Sequence, residues 1–99
     1  MTTRILFAAT LLCASSASLA QDNSIARGLA ATCANCHGTE GHSVTREVAT
    51  LAGMRKEYIV SQMKAFKDGT RPATVMHQLA KGYTDQQIEQ LAAYFAAKK

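Results

Sequence analysis

No stretch of this sequence is long and apolar enough to cross a bilayer. The longest such run, Ile5 to Leu12, falls far below the ~20 residues that a spanning helix needs, so no transmembrane anchor is expected. Charge is sparse as well: 11 Lys and Arg against 7 Asp and Glu give a formal +4. That excess is too small and too scattered along the chain to indicate nucleic-acid binding. Apolar and polar residues never alternate in the manner of strands, and no repeat or low-complexity tract occurs, which argues against a β-sheet core. Cysteines number three, Cys13, Cys33 and Cys36, too few for a disulfide scaffold.

What is present begins with a leader. Arg4, the apolar run, and the small-residue stretch Ala14 to Ala20 have the layout of a secretory signal peptide cleaved after Ala20. Bulky Leu12 before Cys13 argues against lipidation, because lipoprotein signals place a small residue there. Cleavage divides the chain into residues 1–20, the signal, and 21–99, a single domain of 79 residues destined for the periplasm. The remaining charge, +3 without Arg4, suits docking onto an acidic partner surface. So short a domain buries too little surface to be comfortably stable alone, which excludes a large protein-built active site and calls for a staple or a cofactor at its centre.

The apolar periodicity predicts an all-α domain of three to four helices. Ser24 is the expected N-cap of a first helix reaching about Cys36, with Ile25, Leu29, Ala30 and Cys33 on one face and Gly28 allowing another helix to approach. Residues 38–53 hold three glycines without periodicity and read as loop, with room for a short turn. A second helix runs from Glu57 to Lys67, facing inward through Ile59, Val60, Met63 and Phe66, and Asp68-Gly69 ends it. Thr70-Arg71-Pro72 imposes an extended stretch, because the residue before proline disfavours the helical region. A short helix over Val75–Lys81 stops at Gly82. Thr84 and Gln87 form a capping box for the last helix, whose stripe is Ile88, Leu91, Ala92 and Phe95, with Lys98 and Lys99 at its dipole-favoured end.

The chemistry is concentrated in Cys33-Ala34-Asn35-Cys36-His37, the C-x-x-C-H pattern of covalent haem attachment. Cysteines at i and i+3 share one face of a helix end, so both sulfurs can reach the vinyl groups along one haem edge. The adjoining His37 can then turn its imidazole under the iron as proximal ligand. A Cys33–Cys36 disulfide would close too short a loop to staple the domain. A thioredoxin-like pair needs a βαβ context that is missing, and a zinc site needs more than His42 and His77, which stand at no recognisable spacing.

A sixth iron ligand has five candidates: Met54, Met63, Met76, His42 and His77. Met63 lies on a helix stripe and reads as core packing, Met54 comes too early to cross to the distal side, and His42 reads as solvated loop. Met76, past the Pro72 break and between two helices, is the preferred ligand. Its thioether would raise the reduction potential, and neighbouring His77 would lower it.

Nearly the whole of residues 21–99 resembles a class I cytochrome c. The resemblance rests on Cys33-Ala34-Asn35-Cys36-His37-Gly38, Leu51-Ala52-Gly53, Glu57-Tyr58-Ile59, Phe66-Lys67-Asp68-Gly69, Met76 and Leu91-Ala92-Ala93-Tyr94-Phe95. Within that class, Cys36-His37-Gly38-Thr39 and the strings Ala73-Thr74-Val75-Met76 and Ala80-Lys81-Gly82-Tyr83-Thr84 resemble the cytochrome subunits of flavocytochrome c sulfide dehydrogenases. The resemblance implies one covalent haem c and first and last helices that cross, setting Gly28 and Leu29 against Leu91, Tyr94 and Phe95. It also implies a flavoprotein or other redox partner with an acidic docking face. The family usually carries a proline whose carbonyl accepts a hydrogen bond from the proximal histidine; Ala49 stands there, and its carbonyl is expected to serve instead.

With iron between His37 and Met76 no position is open for substrate, so the expected role is single-electron transfer and not catalysis by this chain alone. The haem edge beside the cysteines is the expected electron port, and Lys56, Lys64, Lys67 and Lys81 are the candidates for steering an acidic partner. The alternatives are a freely diffusing carrier and, further off, a ligand-binding or peroxidatic haem protein with a weak Met76 bond.

Overall fold

The computed structural model describes residues 23–99. The expected leader, 1–20, lies outside the described residues. Among the described residues every regular element is helical. In chain order they are α1 over 23–31, α2 (Ala34–His37), a 3₁₀ turn (Thr39–Gly41), α3 (Lys56–Asp68), α4 (Met76–Ala80) and α5 (Asp85–Ala96).

α5 is the axis of the core. Thr84 Oγ1 accepts from the Gln87 amide and the Gln87 side chain accepts from the Thr84 amide, completing the predicted capping box. Ile88, Leu91, Ala92 and Phe95 follow on one face and are all buried, a burial worth about 1.5–3 kcal/mol for each of the larger side chains. α3 packs against both α5 and α4, with Ile59 and Met63 buried and Val60 and Phe66 lying half-buried on the same cluster. Met63 is therefore core, as its stripe position predicts. Gly69 ends α3, its amide bonding back to the Phe66 carbonyl.

Four local expectations are corrected. The first helix does not run through to Cys36: it stops at 31, turns through Thr32 and Cys33, and restarts as α2. The short turn re-aims the chain so that Cys33 stands at the N-cap of a separate helical segment and Cys36 within it. Ser24 is not an N-cap, because residue 23 is already helical. Gly28 is not a close-approach point: it is exposed, and a Cβ there would meet nothing within 4 Å. α1 instead enters the core through Ala30, 3% exposed, with Leu29 packed beside it. The smallest side chain that still buries apolar surface makes the contact, two residues from the glycine.

Lys98 and Lys99 likewise lie beyond the last turn of α5, which ends at Ala96. Lys98 sits 4.3 Å over the Tyr94 ring and pairs with Glu40 at 3.6 Å, fastening the C-terminus to the 3₁₀ turn.

Candidate functional site

The loop after α2 is shaped by two glycines. Gly38 has φ 84° and ψ 167°, and a Cβ there would lie 1.9 Å from the His42 carbonyl oxygen. Gly41 comes so close to α5 that a Cβ would stand 2.8 Å from the Phe95 ring and 2.9 Å from the Ala52 nitrogen. The Gly41 carbonyl accepts from the amides of Leu51 (2.8 Å) and Ala52 (3.1 Å), and the Gly53 amide donates to the Phe95 carbonyl at 2.9 Å. Residues 41–53 thus form a closed loop riveted to the core helix.

That loop delivers one acceptor to the motif. His37 Nδ1 donates to the Ala49 carbonyl at 2.7 Å. A carbonyl can only accept, so Nδ1 carries the ring hydrogen and Nε2 is left with a free lone pair. The bond also fixes the ring's orientation and raises its basicity as a donor. The acceptor is backbone, which is why alanine serves where a proline is usual in the resembling family.

Cys33 and Cys36 are both free thiols on the segment that ends at His37, Cys33 half-buried and Cys36 exposed. Burial pushes the Cys33 thiol up, while hydrogen bonds from Thr32, its own amide and Tyr83 pull it down by less. Beside it the Thr32 Oγ1 and Tyr83 hydroxyl lie 2.9 Å apart, joining the end of α1 to the loop before α5. Lys67 in turn donates to the Tyr83 carbonyl at 2.7 Å and pairs with Asp85 at 3.5 Å. Sequence reading overlooked this clamp on the cysteine turn, because Thr32 and Tyr83 are 51 residues apart and neither carries a local signal.

Met76 opens α4 and lies half-buried against the core cluster. Met54 is also half-buried on that cluster, whereas His42 is exposed on the loop. His77, next to Met76, turns its Nδ1 into the protein, where the atom is buried and has no hydrogen-bond partner. Of the four lysines singled out for steering, Lys56 is paired with Glu89 at 3.2 Å and Lys67 is held as above. Lys64 and Lys81 are exposed and form no ion pair with any described residue.

This donor set fits a haem of the c type. It has two free thiols three residues apart for thioether bonds, an oriented imidazole with its Nε2 lone pair unused, and a half-buried thioether on a separate short helix.

The family described as Cytochrome c matches residues 25–97. The cytochrome subunit of sulfide dehydrogenase from Chlorobaculum tepidum is 43% identical over 67 residues, covering 68% of this chain and 60% of that protein. Cytochrome c4 of Pseudomonas aeruginosa is 38% identical over 80 residues, 81% of this chain and 40% of that one. The solved structure of Acidithiobacillus ferrooxidans cytochrome c4 superposes with a TM-score of 0.63 at 40% identity, over 66% of this chain and 37% of that chain. The chain thus spans between about two fifths and three fifths of the length of these relatives. Together with the all-helical architecture and the haem-attachment motif, these matches establish that the chain belongs to the cytochrome c family and has the class I cytochrome c fold.

Proposed function

We propose that this protein carries single electrons through one haem c, tethered by Cys33 and Cys36 and ligated by His37 and Met76. When bound, the haem supplies a one-electron Fe(II)/Fe(III) couple. The observation that carries the reading is the His37 Nδ1–Ala49 carbonyl bond at 2.7 Å, which presents an oriented nitrogen donor directly after two free thiols. The work of the chain is to hold and tune. His37 donates through Nε2, its basicity raised by Ala49. Met76 would be the second protein donor to the iron, leaving no position for substrate or water, and a methionine–histidine pairing would favour a raised potential. Gly38 and Gly41 keep the 41–53 loop closed against α5, and the core behind it holds both donors in place.

The partner we propose is a flavoprotein that oxidises sulfide or a related sulfur compound, in the periplasm. The likeness to the Chlorobaculum tepidum sulfide dehydrogenase subunit supports this reading. So does the pair of unpaired cations, Lys64 and Lys81, which would steer an acidic surface towards the protein. Val75, just before α4, and Leu79 on it, 55% and 53% exposed, offer an apolar contact beside Met76.

The test is a visible and near-infrared spectrum with an intact mass. The expected result is one haem added covalently to the chain cut after Ala20, with a thioether charge-transfer band in the oxidised state. Co-purification with a flavin-containing chain is the expected outcome for a subunit. A chain that stays monomeric and unaccompanied at micromolar concentration is a diffusing carrier, and the subunit reading then fails.

A further inference from the structure

Tyr83 reaches from the loop before α5 to the break between α1 and α2, and it is held along its length. Its carbonyl accepts from Lys67 Nζ at 2.7 Å, and its amide donates at 3.2 Å to the carbonyl of fully buried Ala80. The ring lies half-buried against the core cluster, as does Cys33. With main chain and ring both fixed, the hydroxyl is delivered 2.9 Å from Thr32 Oγ1 and 3.5 Å from the Leu29 carbonyl oxygen. The second distance is too long for more than a weak bond, so Thr32 is its partner.

Two hydroxyls carry two hydrogens, and only one can lie between them. The phenol is the more acidic group, so Tyr83 donates and Thr32 accepts. The Thr32 hydrogen is then left over, and the bond behind it polarises it further. Its neighbour is Cys33. The turn that joins them is fixed by the Cys33 amide on the Ala30 carbonyl at 3.1 Å and the Asn35 amide on the Thr32 carbonyl at 3.4 Å. Both hydroxyls come within hydrogen-bond reach of the Cys33 sulfur, with Thr32 the stronger of the two.

We infer that Thr32 helps to set the reduction potential: oriented by Tyr83, its hydroxyl donates to the Cys33 sulfur and continues to do so when that sulfur carries the haem. The inference rests on the tether at Cys33 proposed above. Thioether formation exchanges the hydrogen of the thiol for a vinyl carbon and leaves both sulfur lone pairs in place, so the acceptor survives. The positive end of the hydroxyl dipole then faces the tethered edge of the haem. It disfavours the additional positive charge of Fe(III) and raises the potential. One hydroxyl dipole beside half-buried Cys33 should shift the Fe(II)/Fe(III) ratio about twofold, which is about 18 mV at 59 mV per tenfold.

The experiment uses the haem-loaded protein as wild type, Thr32→Val, Thr32→Ser and Tyr83→Phe. Valine and phenylalanine keep the shapes of the side chains and remove only the hydroxyls. Spectroelectrochemical titration gives the potentials, and guanidinium unfolding gives the stabilities. At a fixed electrode potential Thr32→Val should lower the Fe(II)/Fe(III) ratio about twofold, and Thr32→Ser should leave it unchanged. Tyr83→Phe should fall between, because its Thr32 hydroxyl still reaches the sulfur but has lost the group that orients it. Stability should follow a different pattern: Thr32→Val and Tyr83→Phe break the same bond and should shift the unfolding midpoint alike. Potentials that track the stabilities, with the two variants falling equally, would make the pair a brace only and overturn the inference. An unmoved potential in Thr32→Val overturns it as well. Thr32→Ala removes the same hydroxyl with a smaller side chain and carries the same expectation, should the valine variant load haem poorly. Intact mass and a pyridine haemochrome spectrum check the tether separately. Haem bonded through fewer than two cysteines sinks the proposed tether and this inference with it, whereas two intact thioethers with an unmoved potential sink this inference alone.

Discussion

Gly38→Ala is the sharpest perturbation of the site that leaves its donors in place. At φ 84° and ψ 167° Gly38 occupies a region that is essentially glycine-only, so the backbone term alone is about 1–3 kcal/mol. The new methyl would also stand 1.9 Å from the His42 oxygen and 2.6 Å from the His42 carbonyl carbon. Both are main-chain atoms, so no rotamer change relieves the overlap and the loop must shift, which adds a further ~1–3 kcal/mol. We expect a loss of about 3 kcal/mol or more. For a domain of this size that corresponds to a fall in Tm of roughly 12–24 °C.

Gly69→Ala is the matched control. Its φ is 79° and ψ 9°, but nothing lies within 4 Å of the added Cβ, so only the left-handed backbone term of about 1–2 kcal/mol applies. Thermal and guanidinium unfolding of the two oxidised holoproteins compare them directly. A second readout ties the loss to the site. A shifted loop withdraws the Ala49 carbonyl from His37, lowering the basicity of the imidazole and its preference for Fe(III), so the reduction potential should rise in Gly38→Ala and not in Gly69→Ala. Equal destabilisation of the two variants, or a Gly38→Ala loss below about 1 kcal/mol, would refute the steric reasoning.

Thr84→Ala removes the capping box on α5 and should lower stability by about 1 kcal/mol in denaturant titration, with the haem spectrum unchanged. Phe95→Ala empties a site that is 1% exposed and should cost about 3–5 kcal/mol. It should also loosen the 41–53 loop, seen as faster amide exchange at Gly53, whose N–H bonds to the Phe95 carbonyl. Gly28→Ala, in an open helical position, should stabilise by about 0.5–1 kcal/mol, the reverse of what a helix-crossing glycine would give. Electron exchange with an acidic partner should slow as ionic strength rises, and Lys64→Glu and Lys81→Glu should slow it more than Lys56→Glu, because Glu89 already pairs with Lys56.

Local chemistry was legible in the chain before folding. C-x-x-C-H carries its own geometry because three residues of helix place two sulfurs on one face. The capping box at Thr84 and Gln87 and the stripe from Ile88 to Phe95 are likewise matters of near-neighbour spacing, and the structure reproduces them. Met63 follows the same rule. What failed in sequence reading also failed locally. The periodicity of Ile25, Leu29 and Cys33 runs through Thr32 without a break, so nothing announced that the helix would stop at 31 and restart at Ala34.

The sequence by itself determined the all-helical character of the domain, the capping box of α5 and the C-x-x-C-H motif, since each depends on residues within a few positions of one another. Only the tertiary structure decided what the donors of that motif feel. The carbonyl that orients His37 comes from 12 residues away, through a loop closed by Gly41 and tied to Phe95. The Thr32–Tyr83 clamp beside Cys33 spans 51 residues, and whether Ala30 or Gly28 meets the core depends on how α1 lies against it. Those contacts join segments that approach only when apolar surface is withdrawn from water, and no local pattern records where they meet.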